Sequence, residues 1–195
     1  MSRLTCPAGT VLFSPGQDCP GYVKLTRGTV RVTLTAANGR EVVLYRVGPG
    51  DVCLQTFACL TEGRTYSAQG IAETDLEGEI LPHARFLGQM EQNSAFRSEV
   101  LSAVARRFGD YEQLVEDVAL TGFDTRLARV LLRLSAGDGT VRTTHDALAA
   151  ETASGRAFVS RRLGELSRQG LVEPGRGVIR ILNRPALERI AADLK

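Results

Sequence analysis

Residues 144–168 constrain the fold of this chain more than any other segment. Two short runs, residues 144–151 and 155–168, carry apolar residues at helical spacing and flank a tight turn at residues 152–154. Thr144, or Thr143, can cap the first helix, because a threonine hydroxyl accepts a hydrogen bond from a free N–H of the first turn. The pattern predicts two helices joined by a tight turn, as in a helix-turn-helix.

The second of these helices has one apolar face and one basic face. The residues that we expect to be buried are Phe158, Val159, Leu163 and Leu166, and the opposite face presents Arg156, Ser160, Arg161 and Arg168. Gly170 ends the helix, and two short strands around residues 174–177 form a wing with Arg176 at its tip. Arginine can bond both major-groove acceptors of guanine, while serine and the more distal arginines hold phosphates. We therefore predict binding to double-stranded DNA through Thr144, Arg156, Ser160, Arg161, Arg168 and Arg176.

The charge distribution also suggests a polyanionic partner for the C-terminal third. Residues 1–120 carry 11 Lys and Arg against 14 Asp and Glu, a net charge of −3. Residues 121–195 carry 13 against 8, a net charge of +5. A basic region on an otherwise acidic chain attracts nucleic acid. Solvated arginines that bind nothing would give the same counts, so the prediction depends on the helix-turn-helix pattern as well.

The N-terminal part of the chain has a different periodicity. Short runs such as residues 30–34 alternate apolar and polar side chains, and turn sequences separate them. Asn38-Gly39 is a strong hairpin signal, because both central residues of a type I′ turn need positive φ. Many short strands with such turns indicate an antiparallel barrel or roll. We predict an α+β chain with an antiparallel barrel or roll at residues 1–85, a long dimerisation helix at 86–120 and a winged helix-turn-helix at 121–195.

The predicted long helix carries an apolar seam whose members are alternately three and four residues apart. They are Leu101, Val104, Phe108, Tyr111, Val115 and Val118. This is the spacing at which one helix packs along another in a coiled coil. The helix could instead pack on its own roll alone, but so narrow a seam suits a second helix better, and we expect a homodimer.

Six motifs spread along the chain are shared with one known family. They are Gly28-x-Val30-x-Val32, Asn38-Gly39-Arg40-Glu41, Gly48-Pro49-Gly50-Asp51, Arg126-Leu127-Ala128-x-x-Leu131-Leu132, Arg156-x-x-Val159-Ser160-Arg161 and Leu163-x-x-Leu166-x-x-x-Gly170-Leu171-Val172. On these residues the chain resembles the CRP/FNR family of bacterial transcription regulators. Of the two folds left open for residues 1–85, the resemblance implies the antiparallel β-roll (a double-stranded β-helix) of the cyclic-nucleotide-binding type, acting as sensor. It also implies a palindromic operator as DNA partner and leaves RNA polymerase open as a further partner. Ala157 stands where the family often has a glutamate that accepts from cytosine, so we expect a different half-site sequence.

Two further departures from the family concern the effector. The cyclic-nucleotide binders carry a Gly-Glu pair and a later Arg-Ser pair that hold the ribose and the cyclic phosphate, and the pairs here are Cys53-Leu54 and Tyr66-Ser67. Without that arginine the phosphate loses the charge-assisted bonds that provide most of its recognition, so cyclic AMP is not expected to bind. The family's iron–sulfur members have three closely spaced cysteines and a distant fourth. The four cysteines of this chain, Cys6, Cys19, Cys53 and Cys59, do not have that spacing. We expect no cofactor.

Three interpretations of the sensor stay open. In the first, Cys53 and Cys59 are only buried small apolar residues of a short helix, since free cysteine is among the most buried residue types. In the second, they form a thiol switch for oxidants or reactive sulfur, which would need at least one lowered thiol pKa. In the third, the effector is a small organic ligand that binds in the roll, in a pocket lined by Leu54, Phe57, Tyr66 and Ile71. The sensor candidates are therefore Cys53, Cys59, Tyr66 and Ser67.

Catalysis, metal binding and membrane insertion are not expected. A cupin-type metal enzyme, a distant alternative for a β-roll, needs two or three converging histidines. The chain has only His83 and His145, which we expect at the surface. There is no Gly-x-Ser-x-Gly elbow, P-loop or Gly-x-Gly-x-x-Gly. The sequence has no signal-peptide pattern and no apolar stretch of about 18 residues, so we expect a cytoplasmic protein.

Overall fold

The computed structural model describes residues 2–37 and 39–192, without the side chains of residues 116–120. Asn38 and the side chain of Val118 therefore lie outside the described part. The chain divides into two compact units, Met1–Thr35 with Val43–Gln113, and Ala36–Val42 with Leu114–Lys195. The elements in chain order are β1 (Ser2–Cys6), β2 (Val11–Phe13), β3 (Tyr22–Arg27), β4 (Val30–Thr35), β5 (Glu41–Val47), α1 (Leu54–Glu62), β6 (Gln69–Ala72), β7 (Leu76–Leu81), α2 (His83–Gln92), α3 (Ser94–Leu120), α4 (Phe123–Leu134), β8 (Thr140–Arg142), α5 (His145–Glu151), α6 (Arg156–Arg168), β9 (Val172–Gly175), β10 (Val178–Ile181) and α7 (Arg184–Ala192).

The first unit contains the predicted antiparallel β-roll. Its strands form two sheets in the orders β1-β7-β3 and β2-β6-β4-β5. The side chains of Val32, Tyr45 and Val47 are buried between them. Gly28 has a φ of +86°, and a Cβ there would lie 2.2 Å from the carbonyl oxygen of Asp75. The turn after β3 therefore requires glycine, both for the backbone conformation and for the close approach of the chain.

The helical region after the roll consists of two helices, where a single helix over residues 86–120 was predicted. Helix α2 ends at Asn93, whose φ of −114° and ψ of 98° are extended. The Asn93 Oδ1 then accepts a hydrogen bond of 3.1 Å from the backbone N–H of Phe96. An asparagine that bonds the next turn in this way starts a new helix, so the break needs neither proline nor glycine.

The second unit contains a helix-turn-helix, α5–α6, followed by a wing. Strand β10 pairs with both β8 and β9 in an antiparallel sheet. Val159, Leu163 and Leu166 of α6 are buried as predicted, but Phe158 is 43 % exposed, and its predicted burial is wrong. Successive residues are about 100° apart around a helix, so Phe158 falls at the edge of the face that Val159 buries.

Candidate nucleic-acid interface

Helix α5 is held by side-chain hydrogen bonds at both of its ends. Of the two predicted cap candidates it is Thr144 that caps α5, because its Oγ1 accepts a 3.1 Å bond from the N–H of Ala147. At the other end the Thr152 hydroxyl donates to the carbonyl of Leu148 at 2.7 Å and lies 2.8 Å from the Ser154 hydroxyl. The bonds of Thr152 stabilise the turn that leads into α6.

Arg126 of α4 braces the same turn from the side. Its Nε donates to the carbonyl of Thr152 at 3.2 Å, and its guanidinium also donates to the carbonyl of Thr121 at 2.5 Å. Arginine presents several donors in one plane, so one side chain can satisfy carbonyls from two segments. Arg126 therefore connects α4 to the helix-turn-helix.

The predicted contact residues of α6 lie on its solvent side. Arg156, Arg161 and Arg168 are exposed, whereas Ser160 is half-buried. Arg176 is exposed at the tip of the wing, between β9 and β10. The Arg156 guanidinium lies 3.1 Å from the carboxylate of Asp146 on α5. The solvent-exposed side of α6 thus carries arginines from its first residue to its last, and the neighbouring helix supplies a carboxylate partner for the first of them.

Ser160 faces a residue that the sequence did not connect to it. The Nδ1 of His145 lies 2.7 Å from the Ser160 Oγ, which joins the first residue of α5 to the middle of α6. His145 is half-buried, so its predicted place at the surface is only partly right. The contact depends on how α5 packs against α6, and nothing in the local sequence of either helix signals it.

Arg162 is occupied by acidic partners, in contrast to its neighbour Arg161. It forms ion pairs with Asp124 of α4 and with Glu165 one turn further along α6. The hydrogen bond from Arg162 holds the pKa of the Glu165 carboxyl below its usual range. Arg161 instead lies over the ring of Phe158, with its guanidinium carbon 5.2 Å from the ring centroid. Of these two adjacent arginines, Arg162 packs α6 onto α4 and Arg161 faces outward.

The predicted dimerisation seam divides into two rows. Leu101, Phe108 and Val115 are seven residues apart on α3 and are 50 %, 61 % and 63 % exposed. Val104 and Tyr111 are half-buried and pack against the roll of their own chain. The prediction of a helix–helix contact therefore depends on the first row, while Val104 and Tyr111 are accounted for within one chain.

The predicted sensor residues do not form one cluster. Cys53 and Tyr66 line a cavity of about 110 Å³ inside the roll, whose described walls are mostly apolar: Leu4, Leu12, Phe13, Pro20, Val23, Leu25, Val30, Val47, Thr56 and Ile80. Leu54, Phe57 and Ile71, predicted as lining residues, are not among them. Cys59 is buried in the same core without lining the cavity. Ser67 is exposed and donates to Oε1 of Gln55 from both its backbone N–H, at 3.0 Å, and its hydroxyl, at 2.9 Å.

Burial suppresses ionisation of Cys59. Loss of water raises the pKa of its thiol to about 11, and the nearby thiols of Cys19 and Cys53 contribute to this rise. Burial likewise raises the pKa of the Tyr66 hydroxyl, which lies 3.3 Å from the hydroxyl of Thr56. Because the thiolate is the reactive form of cysteine, Cys59 is a poor nucleophile at neutral pH. The prediction of a thiol switch now depends on Cys53.

Metal binding and membrane insertion find no support in the described residues. In that part of the chain, no three His, Cys, Asp or Glu side chains are grouped so that they could hold a metal ion. None of the described helices combines the length and the apolar character that a membrane crossing requires.

Comparison with known proteins covers both units. Residues 3–93 match the cyclic nucleotide-binding domain, and residues 125–190 match the Crp-like helix-turn-helix domain. The chain is 29 % identical over 194 residues to the transcriptional regulator SdrP of Thermus thermophilus, covering 94 % of this chain and 91 % of SdrP. It is 30 % identical over 191 residues to the transcriptional regulator LdrP of the same organism, covering 92 % of each. The crystal structure of a CRP/FNR-family regulator from Eubacterium rectale superimposes with a TM-score of 0.89 at 27 % identity, covering 98 % of this chain and 90 % of that one. This chain belongs to the CRP/FNR family of transcriptional regulators.

Proposed function

We propose that the protein acts as a homodimer that binds a palindromic operator through α6 and the wing. The observation that supports this most is the set of exposed arginines on a helix whose start is held by the 152–154 turn and by Arg126. Rigid placement of arginines is what base recognition in the major groove needs. Because the DNA of bacteria lies in the cytoplasm, we also propose a cytoplasmic location for the protein.

The contact residues divide by side-chain type and by distance from the start of α6. Arg156 and Arg161 lie in its first half, whose residues enter the groove in helix-turn-helix proteins, and we assign them to guanine. Ser160, Arg168, Arg176 and Thr144 are assigned to phosphates; Arg168 is at the end of α6 and Arg176 is on the wing.

The exposed row on α3 supports a two-fold dimer. Three large apolar side chains that repeat every seven residues, Leu101, Phe108 and Val115, form one stripe along a helix. A second copy of α3 related by a two-fold axis would cover both stripes at once. Such a dimer would hold two recognition helices about 34 Å apart, the spacing of successive major grooves on one side of the duplex.

Selection from a random duplex pool followed by fluorescence anisotropy tests the proposal. The wild-type protein is expected to enrich a palindrome and to bind it less tightly as salt rises, because phosphate contacts release counterions. Arg156→Ala and Arg161→Ala should each cost about 1–3 kcal/mol of specific binding. The control is Arg64→Ala, an exposed arginine of the roll that pairs with Glu62. Losses below about 0.5 kcal/mol for both α6 variants would mean that the recognition helix is misassigned, since good base contacts exceed this.

A second part of the proposal concerns the effector, for which the cavity in the roll favours a small, largely apolar organic ligand. The cavity lies beside Cys53, whose Sγ is 3.8 Å from the Tyr45 hydroxyl. The Tyr45 ring contacts two residues of α3. Its centroid lies 5.5 Å from the centroid of the Tyr111 ring, in an edge-on arrangement, and 5.1 Å from the guanidinium carbon of Arg107. A ligand that displaces Tyr45 would therefore act on α3, the helix that we assign to dimerisation.

A thermal-shift screen of small aromatic and aliphatic compounds tests this part. A ligand that binds the folded state raises the melting temperature in a concentration-dependent way. The shift should disappear in Cys53→Met, which places a larger side chain into the cavity. If peroxide or polysulfide changed operator affinity in the wild type and not in Cys53→Ser, while no compound shifted the melting temperature, the thiol switch would be supported instead.

A further inference from the structure

Phe158 is a large aromatic residue that α6 leaves partly uncovered. It is 43 % exposed, although the other apolar residues that were predicted for the same face are buried. We propose that Phe158 reads DNA sequence directly, and that its ring contacts the C5 methyl group of a thymine adjacent to the guanine that Arg161 bonds. This inference rests on the proposed function, because it requires α6 to lie in the major groove.

The position of Phe158 along α6 suits contact with bases. It is the third residue of the helix, after Arg156 and Ala157, and all three are exposed. In helix-turn-helix proteins it is the N-terminal part of the recognition helix that approaches base edges. An aromatic ring at this point would therefore contact the base edges at the floor of the groove rather than the phosphates.

The ring is also held in place from behind. Phe123, the first residue of α4, packs edge-to-face against Phe158 with ring centroids 4.5 Å apart and an interplanar angle of 63°. Aromatic pairs favour this arrangement. The contact supports the ring from α4, and Phe158 remains 43 % exposed.

Arg161 places a guanine-reading group next to that ring. Its guanidinium carbon lies 5.2 Å from the Phe158 centroid, within the range of a cation–π contact. Base pairs along a duplex are about 3.4 Å apart, so the two groups are suited to neighbouring pairs. Arg161 would take the guanine, and the ring would lie over the next pair.

Thymine is the base that matches an apolar group in the major groove. It alone displays a methyl group there, and phenylalanine is among the side chains that contact it. Ala157 offers no hydrogen-bonding group, so Arg156 and Phe158 remain to discriminate the bases near the start of the helix. The pair formed by Phe158 and Arg161 supplies this as a thymine–guanine step.

The test removes single methyl groups from DNA. In an operator selected by the wild-type protein, each thymine of one half-site is replaced in turn by deoxyuridine, and the dissociation constant is measured by fluorescence anisotropy. One replacement should weaken wild-type binding about fourfold, as expected for one buried methyl group. The same replacement should leave the affinity of Phe158→Ala unchanged and should have a smaller effect on Phe158→Leu, which keeps an apolar side chain without the ring. Replacement of the neighbouring guanine by 7-deazaguanine should weaken the wild type and leave Arg161→Ala unaffected.

Two results would overturn the inference while leaving the proposed function intact. One is a tightly bound operator in which no deoxyuridine replacement matters, a result that needs no variant protein. The other is a sensitive thymine whose effect persists in both Phe158 variants, with folding checked by their melting temperatures. Failure to select any duplex would instead contradict the proposed function itself.

Discussion

Phe108 offers the strongest test of the dimer. It is the middle member of the exposed row on α3 and is 61 % exposed in the single chain. Full burial of a phenylalanine side chain is worth about 1.5–3 kcal/mol, so covering the exposed part contributes about 1–2 kcal/mol. In a two-fold dimer both copies of Phe108 are covered, so their combined contribution to the free energy of dimerisation is about 2–4 kcal/mol. Phe108→Ala should therefore raise the dimer dissociation constant roughly 30-fold to 900-fold.

Sedimentation equilibrium over a range of protein concentrations measures this constant directly. The matched control is Leu34→Ala, which removes a side chain that is 44 % exposed on β4 and not on α3. The control should dimerise like the wild type, and both variants should retain the wild-type helical signal in circular dichroism. If Phe108→Ala and Leu34→Ala dimerised equally well, the assignment of this row to the interface would be refuted.

Three further predictions concern stability and the division of roles on α6. Thr144→Ala should lower the free energy of unfolding by about 1 kcal/mol, because it leaves the Ala147 N–H without its cap. Urea unfolding measures this free energy, and Thr143→Ala is the control. Between pH 9 and 11 the wild type should lose stability as pH rises, since the unfolded chain releases the Cys59 proton near the ordinary pKa of 9.0 while the folded chain keeps it to about 11. Cys59→Ala should show a shallower decline, and equal slopes would contradict the assigned pKa. Arg162→Met should lower the melting temperature by removing the contacts to Asp124 and Glu165, whereas Arg161→Met should weaken DNA binding with little change in melting temperature.

Local patterns predicted the parts of the fold that depend on local forces. The helical spacing in residues 144–168, the Thr144 cap and the turn at 152–154 follow from interactions within a few residues, and the structure contains them. The break at Asn93 was missed, because an asparagine can end one helix and begin another without the proline or glycine that marks most breaks.

Contacts between distant residues could not be predicted in this way. The bond between His145 and Ser160 joins residues 15 apart and exists because α5 crosses α6. The ring that packs against Phe158 is that of Phe123, which belongs to α4 and lies 35 positions earlier in the chain. The walls of the cavity come from residues as far apart as Leu4 and Ile80, so tertiary packing decides which side chains line it.

In the proposed complex, the two α6 helices of one dimer occupy the two half-sites of a palindrome. Hydroxyl-radical footprinting of the selected operator, combined with the protein-to-DNA ratio from sedimentation, measures this occupancy. We expect two protected segments with centres about 10 base pairs apart and two chains per duplex. A single protected segment bound by one chain would contradict it.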